Sequence, residues 1–419
     1  MATGFTVSGV SRSAWTVSAL FIAFVAVGAP AAEAGQAAPA AVACTESALR
    51  TAIGQANAAG GGTITFTCRD TTINSTLGLG DITDDVVIDG EDRNITLAYT
   101  GNFSGCTVGD NGVSGPPIGR MRGRRSIIRH LTFRNFLESL QISGPENTVE
   151  DSVFLAHNCS DDGLSTTTMQ ATSAVIRNNR FQGYRDKAYQ MSYGGGTIEG
   201  NTFIDSAQPI RGPYANTWEG VSVGTFVIRN NVMTTTGNRE LCTGPHVDGT
   251  YQLVIEGNTI QCYRGLRLDG GTQAIVRNNT ITGNPRQGVL VAGSAVVSLS
   301  NNAITGNGLS PGSEPAGGVV VQESGQADLG GGSLVINGQA VASQGRNRLQ
   351  GNGIVDLRNL RSGYTVKAEG NCWDRSIPAD IATTDTIGGV DVDPIGTVCG
   401  PSTGQPPAPP TNVRLVTHN

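Results

Sequence analysis

Charged side chains are scarce in this sequence of 419 residues. Asp, Glu, Lys and Arg together make up 15%, against about 25% in a typical soluble protein, and only two residues are lysines, Lys187 and Lys367. The formal net charge of −6 argues against nucleic acid as a partner, because proteins that bind it carry a basic surface. Glycine is abundant, with 58 residues. This composition excludes a helical bundle and a disordered acidic chain.

The sequence has no apolar run long enough for a stable membrane span. The apolar stretch from Trp15 to Val27 follows Arg12 and precedes Ala32-Glu33-Ala34, which has the small-x-small pattern of a cleavage site. We therefore predict a signal peptide over 1–34 and a secreted, extracellular protein that is a monomer. We predict one domain over 44–399 and a Pro-rich tail over 400–419.

Cys-x-x-Cys motifs and Cys/His clusters with zinc spacing are both missing. All eight cysteines follow the predicted signal, so disulfides are expected in an oxidising compartment. Sequence alone does not determine the pairing. Short loops favour three pairs and leave a fourth: Cys44–Cys68, Cys242–Cys262, Cys372–Cys399 and then Cys106–Cys159.

The N-terminal part of the predicted domain has the pattern of a short helix. Residues 45–58 place Leu49, Ile53 and Ala56 on one face, with Thr45 as N-cap and the glycines at 60–62 as stop. A strand is predicted over 63–67. The helix would cap the open strand edge that a stack of strands leaves at its end.

Beyond this helix the chain repeats one short template, an apolar residue, a polar pair that often contains Asn, and a second apolar residue. The second apolar residues, used below as markers, are separated by 21, 27, 22, 30, 27, 21 and 23 residues. They are Phe133, Phe154, Phe181, Phe203, Met233, Ile260, Ile281 and Ile304. This period predicts an all-β fold, a single right-handed parallel β-helix over about 63–399. Asn suits the turns, because it tolerates the left-handed backbone and can bond its stacked equivalents.

Charged residues recur at nearly the same distance after four consecutive markers. In chain order they are Glu138, the pair Asp161 and Asp162, then Lys187 and Arg211. Three carboxylates from adjacent coils predict a Ca²⁺ site at Glu138, Asp161 and Asp162, because this ion takes six to eight oxygen ligands.

Basic residues continue beyond the predicted calcium site. Arg239, Arg264 and Arg267 follow later markers at similar distances, and a cationic track suits an acidic polysaccharide lying along the solenoid. The four histidines have no spacing typical of a catalytic triad or a metal site. The segment around His246 is interpreted as a loop.

At these residues the chain resembles the pectate lyase family of secreted, calcium-dependent β-helical enzymes. The resemblance covers about 135–215: Glu138 stands near the family's first acid, Asp162-Gly163 on its Asp-Gly-x-x-Asp motif, and Arg185-Asp186-Lys187 on its His-Asp-Lys motif. Ser165 and Thr166 stand where the motif has its second Asp, and the family's Arg-x-Pro-x-x-Arg is reduced to 207–211.

This resemblance implies a lyase that cleaves a uronate-containing glycan by calcium-assisted β-elimination. It places Lys187 on the family's substrate-binding lysine and favours Arg211 as the base. We predict that Arg185, in the same motif, also binds substrate. Lys187 is the alternative base, since flanking cations would lower its pKa. Two other functions were weighed. A β-helical polygalacturonase lacks its motifs here, whereas a non-catalytic β-helix that binds surface glycans stays open.

Overall fold

A computed structural model describes residues 40–101, 117–157, 160–212, 224–237, 242–310 and 315–401. The predicted signal peptide, the Cys106–Cys159 pair, Arg239 and nearly all of the C-terminal tail lie outside these ranges. No helix in the described part of the chain is long and apolar enough to cross a membrane.

The described chain winds through three sheets in which successive coils pair in parallel. Sheet 1 has 14 described strands: Ala40–Val42, Gly62–Phe66, Val86–Asp89, Ile127–Arg129, Thr148–Glu150, Ala174–Arg177, Gly196–Glu199, Thr225–Arg229, Gln252–Glu256, Gln273–Arg277, Val296–Ser300, Gln326–Gly330, Val366–Ala368 and Val390–Asp391.

The other two sheets run alongside it. Sheet 2 has 11 described strands: Thr71–Ser75, Ile95–Tyr99, Leu131–Arg134, Val153–Leu155, Arg180–Gln182, Thr202–Ile204, Val232–Thr234, Thr259–Ile260, Thr280–Thr282, Ala303–Thr305 and Arg348–Gln350. Sheet 3 has 12: Gly80–Ile82, Pro117–Met121, Glu138–Ile142, Asp162–Thr166, Lys187–Met191, Gln208–Arg211, His246–Val247, Leu266–Leu268, Val289–Val291, Val319–Val321, Leu357–Asn359 and Thr386–Ile387. This confirms the predicted parallel β-helix.

The marker residues form the core of sheet 2. Phe133, Phe154, Phe181 and Phe203 stack with ring centroids 4.8, 4.7 and 5.0 Å apart, and all four are fully buried. Met233 continues the same register beside Phe203. The repeat therefore sets the register of the coils through its largest apolar side chains.

A helix covers the N-terminal end of the stack, as the sequence predicts. It spans Glu46–Ala59, with the Thr45 side chain accepting from the backbone of Ala48 and Gly60 as a left-handed C-cap at φ 77°. Its buried face carries Leu49, Ala52, Ile53 and Ala56. Within the described ranges the other helical segments are short, at Pro378–Asp380 and Ile381–Asp385, and an antiparallel hairpin joins Ser333–Ile336 to Gln339–Ala342.

Two successive residues have different roles at eight described turns that lead from sheet 1 toward sheet 2. The first is Asn, Gly or Arg and adopts the left-handed backbone, as Asn230 does at φ 56°. The second is always a buried Asn, and each of the first seven donates from Nδ2 to Oδ1 of its equivalent in the next coil, at 2.9 to 3.1 Å. We call this the asparagine ladder: Asn179, Asn201, Asn231, Asn258, Asn279, Asn302, Asn347 and Asn371.

Outward side chains at the end of sheet 1 alternate in sign from coil to coil. Asp89 pairs with Arg129 at 2.7 Å, and Arg277 pairs with Glu256 at 2.9 Å. The register aligns all eight members of this charge ladder. They are Asp89, Arg129, Glu150, Arg177, Glu199, Arg229, Glu256 and Arg277.

Three predicted disulfides are confirmed. Cys44–Cys68, Cys242–Cys262 and Cys372–Cys399 close loops with sequence separations of 24, 20 and 27. Each therefore joins residues about one coil apart along the stack.

Candidate functional site

Sheet 3 carries a continuous row of polar side chains, which we call the polar row. Its members occupy paired positions on seven consecutive strands. In stacking order they are Arg120, Gln141, Ser165, Gln190, Arg211, His246 and Arg267. Neighbouring strands lie about 4.8 Å apart, so the row presents one polar group per coil.

A second group of charges, the Lys187 cluster, lies where three strands of sheet 3 begin. The Lys187 Nζ atom is 2.9 Å from Asp161 Oδ1, 3.0 Å from Asp162 Oδ1 and 2.7 Å from Asp186 Oδ2. Asp162 and Lys187 are paired positions, and Glu138 lies beside Asp162 because Leu140 pairs with Leu164 on the same strands. The sequence thus places Glu138, Asp162 and Lys187 in one row, as predicted.

The burial of this cluster governs its protonation. Burial raises the pKa of Asp162 to about 8, although the Lys187 charge opposes the rise, and burial raises the pKa of Asp186 to about 6. Burial alone would lower the pKa of the Lys187 ammonium, but the charges of Asp162, Asp186 and Asp161 raise it well above its usual value. Lys187 is therefore protonated. The sequence argument for a lowered pKa at Lys187 is wrong, because its neighbours are carboxylates and not cations.

The predicted calcium ligands can be tested against this geometry. The oxygens of Asp161, Asp162 and Asp186 lie within 4.8 Å of one another, but the Lys187 ammonium lies between them. Glu138 Oε1 accepts from Gln141 Nε2 at 2.7 Å and from Ser165 Oγ at 3.0 Å. With Lys187 in this place, the carboxylates fit an ammonium group and do not also fit a calcium ion. The calcium site stays a prediction.

Arg211 does not share the row of the Lys187 cluster. Lys187 pairs with Gln208, three residues before Arg211, and Arg211 pairs with Gln190 and His246 in the polar row. The Gln208 Nε2 donates to Asp186 Oδ1 at 3.2 Å. The cluster thus anchors the start of the strand whose end carries the buried Arg211 side chain.

His246 lies between two arginines of the polar row. It pairs with Arg211 on one side and with Arg267 on the other. Burial, and then the charges of Arg211, Arg267 and Arg264, lowers the pKa of His246 to about 2. Its Nε2 is buried and has no hydrogen-bond partner among the described residues. His246 is therefore a neutral imidazole held in a cationic environment.

The predicted substrate-binding arginines have different surroundings. Arg267 donates from Nε and Nη2 to Asp269 Oδ2, at 3.2 and 2.7 Å. Arg264 lies over the Tyr263 ring at 5.7 Å. Arg185 is exposed in the turn before Lys187, away from the polar row. The structure brings Arg211, Arg264 and Arg267 around His246 and leaves Arg185 apart.

Asp186 and His246, the residues beside Lys187 and between the two arginines, are not among the site residues predicted from the sequence. Asp186 is the closest carboxylate to Lys187, and it could have been found from its place in the same turn. His246 had no such signal, and the loop predicted there is wrong, because His246–Val247 is a strand of sheet 3. His246 follows its marker Met233 by thirteen residues, whereas Arg211 and Arg267 follow theirs by eight and seven. The extra chain length hid its position in the row.

Comparisons with known proteins concern the fold. A family model described as right handed beta helix region matches residues 118–354. No curated protein matches the chain. Among solved structures, the A-module of the mannuronan C-5 epimerase AlgE4 of Azotobacter vinelandii is 15% identical with a TM-score of 0.43, covering 85% of this chain and 96% of that one.

Two further solved structures resemble the chain with similarly low sequence identity. A mannuronic acid specific polysaccharide family 6 lyase from human gut microbiota is 13% identical with a TM-score of 0.44, covering 85% of this chain and 92% of that one. An alginate lyase from Paenibacillus sp. str. FPU-7 is 12% identical with a TM-score of 0.33, covering 86% and 99%. At this similarity no residue role is transferred. The family match over more than half of the sequence and the three stacked parallel sheets establish that the chain belongs to the right-handed β-helix family.

Proposed function

We propose that the protein is a secreted polysaccharide lyase that cleaves an acidic, uronate-containing glycan by β-elimination. The observation that carries the proposal is the position of His246, a neutral imidazole between Arg211 and Arg267 on adjacent strands. β-Elimination needs a base beside cationic groups that stabilise a developing enolate. This part of the polar row supplies both.

The arginines would bind the uronate carboxylate. A guanidinium holds a carboxylate through two parallel hydrogen bonds, and its charge favours the enolate-like intermediate more than the ground state. Asp269 occupies Nε and Nη2 of Arg267, so Nη1 is the atom of Arg267 that would meet the substrate. Arg211 lies on the strand on the other side of His246, and its buried charge would act on the same carboxylate.

His246 would be the base, in place of the Lys187 and Arg211 expected from the sequence. Lys187 is held protonated by three carboxylates, and a guanidinium is almost always protonated. With a pKa of about 2, His246 is a weak base while the site is empty. A bound carboxylate would offset the charges of Arg211 and Arg267, which raises the pKa of His246 toward the operating range.

In the elimination step, His246 would both accept and return the proton. The C5–H bond breaks as the imidazole takes the proton, and the electron pair of that bond is held in the enolate of the uronate carboxyl group. The pair then forms the double bond between C4 and C5 as the bond between C4 and the glycosidic oxygen breaks. The imidazolium of His246 returns the proton to the leaving oxygen, which restores the neutral histidine. No metal ion enters this sequence of steps.

A non-catalytic glycan-binding β-helix is the second candidate. The observation that favours it is the burial of His246 Nε2, since a base must reach the proton that it removes. Both candidates require the arginines to bind uronates. Only the lyase requires product formation.

The deciding measurement is ultraviolet absorbance of 4,5-unsaturated uronates, with polygalacturonate, alginate and glycosaminoglycans as substrates. We expect absorbance to rise with at least one polymer and the rate to fall at least about 100-fold in His246→Ala. The matched control is His130→Asn. His130 is half-exposed at φ 57° and bonded to Asp89, and Asn tolerates that backbone. A full rate in His246→Ala would refute the assigned base, and uronate binding without product would favour the second candidate.

A further inference from the structure

The polar row continues well beyond His246 toward the N-terminal end of the solenoid, where it meets a cavity. The cavity has a volume of about 540 Å³, within the range of sites that bind small molecules. Its polar lining comprises Arg120, Arg122, Gln141, Ser143, Thr168 and Gln170. None of the described residues that line it is acidic.

Arg120 is the cationic group of the row at this cavity. Its Nε donates to Gln141 Oε1 at 3.1 Å, and Gln141 Nε2 in turn donates to Glu138 at 2.7 Å. Gln141 therefore bridges Arg120 and Glu138, and the two charges act on each other without forming a direct ion pair. Among the described residues no carboxylate forms an ion pair with Arg120, whereas Arg122 is paired with Asp81 at 3.1 Å. The remaining donors of Arg120 are thus available to an anion.

The spacing between Arg120 and His246 fits a polymer. The two residues are five strand steps apart in the register, about 24 Å at about 4.8 Å per step. A pyranose unit in an extended glycan has roughly the length of one step. A glycan that runs along the row with one uronate at His246 would place another at Arg120 about five sugars away.

We infer that Arg120 and the cavity beside it form a distal binding site for a uronate of the same polymer that is cleaved at His246. This inference rests on the proposed function for the identity of the ligand. It assigns to the N-terminal end of the polar row the task of holding long substrates. Between the two ends, Gln141, Ser165 and Gln190 are neutral, so they carry no charge that would bind a uronate.

The test compares affinities for short and long oligomers, about three and about eight sugars at one strand step per sugar. Oligogalacturonates and oligomannuronates are titrated by calorimetry into His246→Ala protein, so that no oligomer is cleaved. Adding Arg120→Gln should reduce the ratio of long-oligomer to short-oligomer affinity about tenfold. Arg180→Gln is the matched control, because Arg180 lies on sheet 2, is half-buried and also donates to a glutamine, Gln182, at 2.8 Å.

The outcomes separate this inference from the proposed function. An unchanged ratio in Arg120→Gln, or an equal loss in Arg180→Gln, overturns the distal site even when wild-type protein forms unsaturated product. A tenfold loss of the ratio of long-oligomer to short-oligomer affinity that occurs only in Arg120→Gln supports the distal site. Arg120→Lys, which keeps the charge, should then lose less of this ratio. If wild-type protein forms no product but this loss is found, the lyase fails and the distal site stands. Circular dichroism and unfolding temperatures establish that each variant is folded.

Discussion

The ammonium of Lys187 lies 3.0 Å from the carboxylate of Asp162, whose pKa burial raises to about 8. Asp161 and Asp186 complete a set of three carboxylates around the same nitrogen. Such a buried group is stable only while its charges compensate one another. The position where the sequence predicts a metal ion is thus held by a side chain.

Removing the Lys187 ammonium should be strongly destabilising at neutral pH. In Lys187→Met the three carboxylates lose their cation, and we expect the free energy of unfolding to fall by about 3 kcal/mol or more. The loss should shrink at pH 5, where protons replace the missing charge. Urea denaturation at both pH values measures it. Lys367→Met is the control, since the other lysine is half-exposed and pairs with Asp391 and Glu369. Equal losses in the two variants would contradict this account.

Calcium should not stabilise the wild-type protein. With Lys187 in place, we expect the same thermal unfolding temperature with calcium and with EDTA. In Lys187→Ala the centre of the three carboxylates is vacated, and calcium should then raise the unfolding temperature in a saturable way. A saturable rise in the wild type would instead support the calcium site that the sequence predicts at Glu138, Asp161 and Asp162.

The pKa of Asp162 predicts a pH dependence of stability. Its folded pKa of about 8 lies above the ordinary value of 3.8, so its contribution is fully present below pH about 4 and is lost as the pH rises through 8. Relative to Asp162→Asn, wild-type stability should therefore fall between pH 4 and 8. Asp85→Asn is the control, because the hydrogen bond from Arg125 lowers the pKa of Asp85. The stability difference between wild type and Asp85→Asn should therefore stay constant above pH about 4. If the two variants differ from wild type in the same way at every pH, the raised pKa of Asp162 is wrong.

Substituting a residue of the asparagine ladder should lower the free energy of unfolding far more than substituting the turn residue that precedes it. Asn231 Oδ1 accepts from Asn201 Nδ2 at 3.0 Å, and its Nδ2 donates to Ile198 O at 2.8 Å and to Asn258 Oδ1 at 2.9 Å. Asn231→Ala leaves these buried groups without partners, and we expect a loss of about 3 kcal/mol or more. Asn230→Gly should cost a few tenths, since glycine accepts the left-handed backbone. A larger loss of stability in Asn230→Gly than in Asn231→Ala, measured by denaturant unfolding, would contradict these separate roles.

Reversing one charge in the ladder on sheet 1 should lower stability modestly. Arg229→Glu would place like charges in register with Glu199 and Glu256, which we expect to cost about 1 kcal/mol. High salt should reduce the loss, because these side chains are partly exposed. The control is Arg134→Glu, whose register neighbours Ala98 and Leu155 are uncharged. An equal or salt-independent loss would argue against the ladder.

The fold could be predicted because its determinants repeat. The spacing of the phenylalanine markers gives the coil length, and each marker packs on its equivalent in the next coil. The capping helix and three disulfides are local features with short sequence separations. For these, neighbours in the sequence pattern are also neighbours in space.

The candidate site can be predicted only in part, because the distance from a marker to the row differs between coils. Asp162, Lys187 and Gln208 share one row but follow their markers by eight, six and five residues. Lys187, Asp161 and Asp162 follow short turns, and counting places them correctly. Arg211 was assigned to the row of Lys187, although it lies three positions further along its strand. The protonation of Lys187 depends on which charges surround it after folding, and the order of residues along the chain does not contain that information.

The alternating charges on sheet 1 impose an even-number rule on changes in the length of this solenoid. Deleting the coil of Arg229 would bring Glu199 next to Glu256, whereas deleting two adjacent coils would leave a negative group beside a positive one. The same holds for duplications. A pair of coils, and not a single coil, is thus the unit by which such a chain can grow or shrink without a clash of like charges.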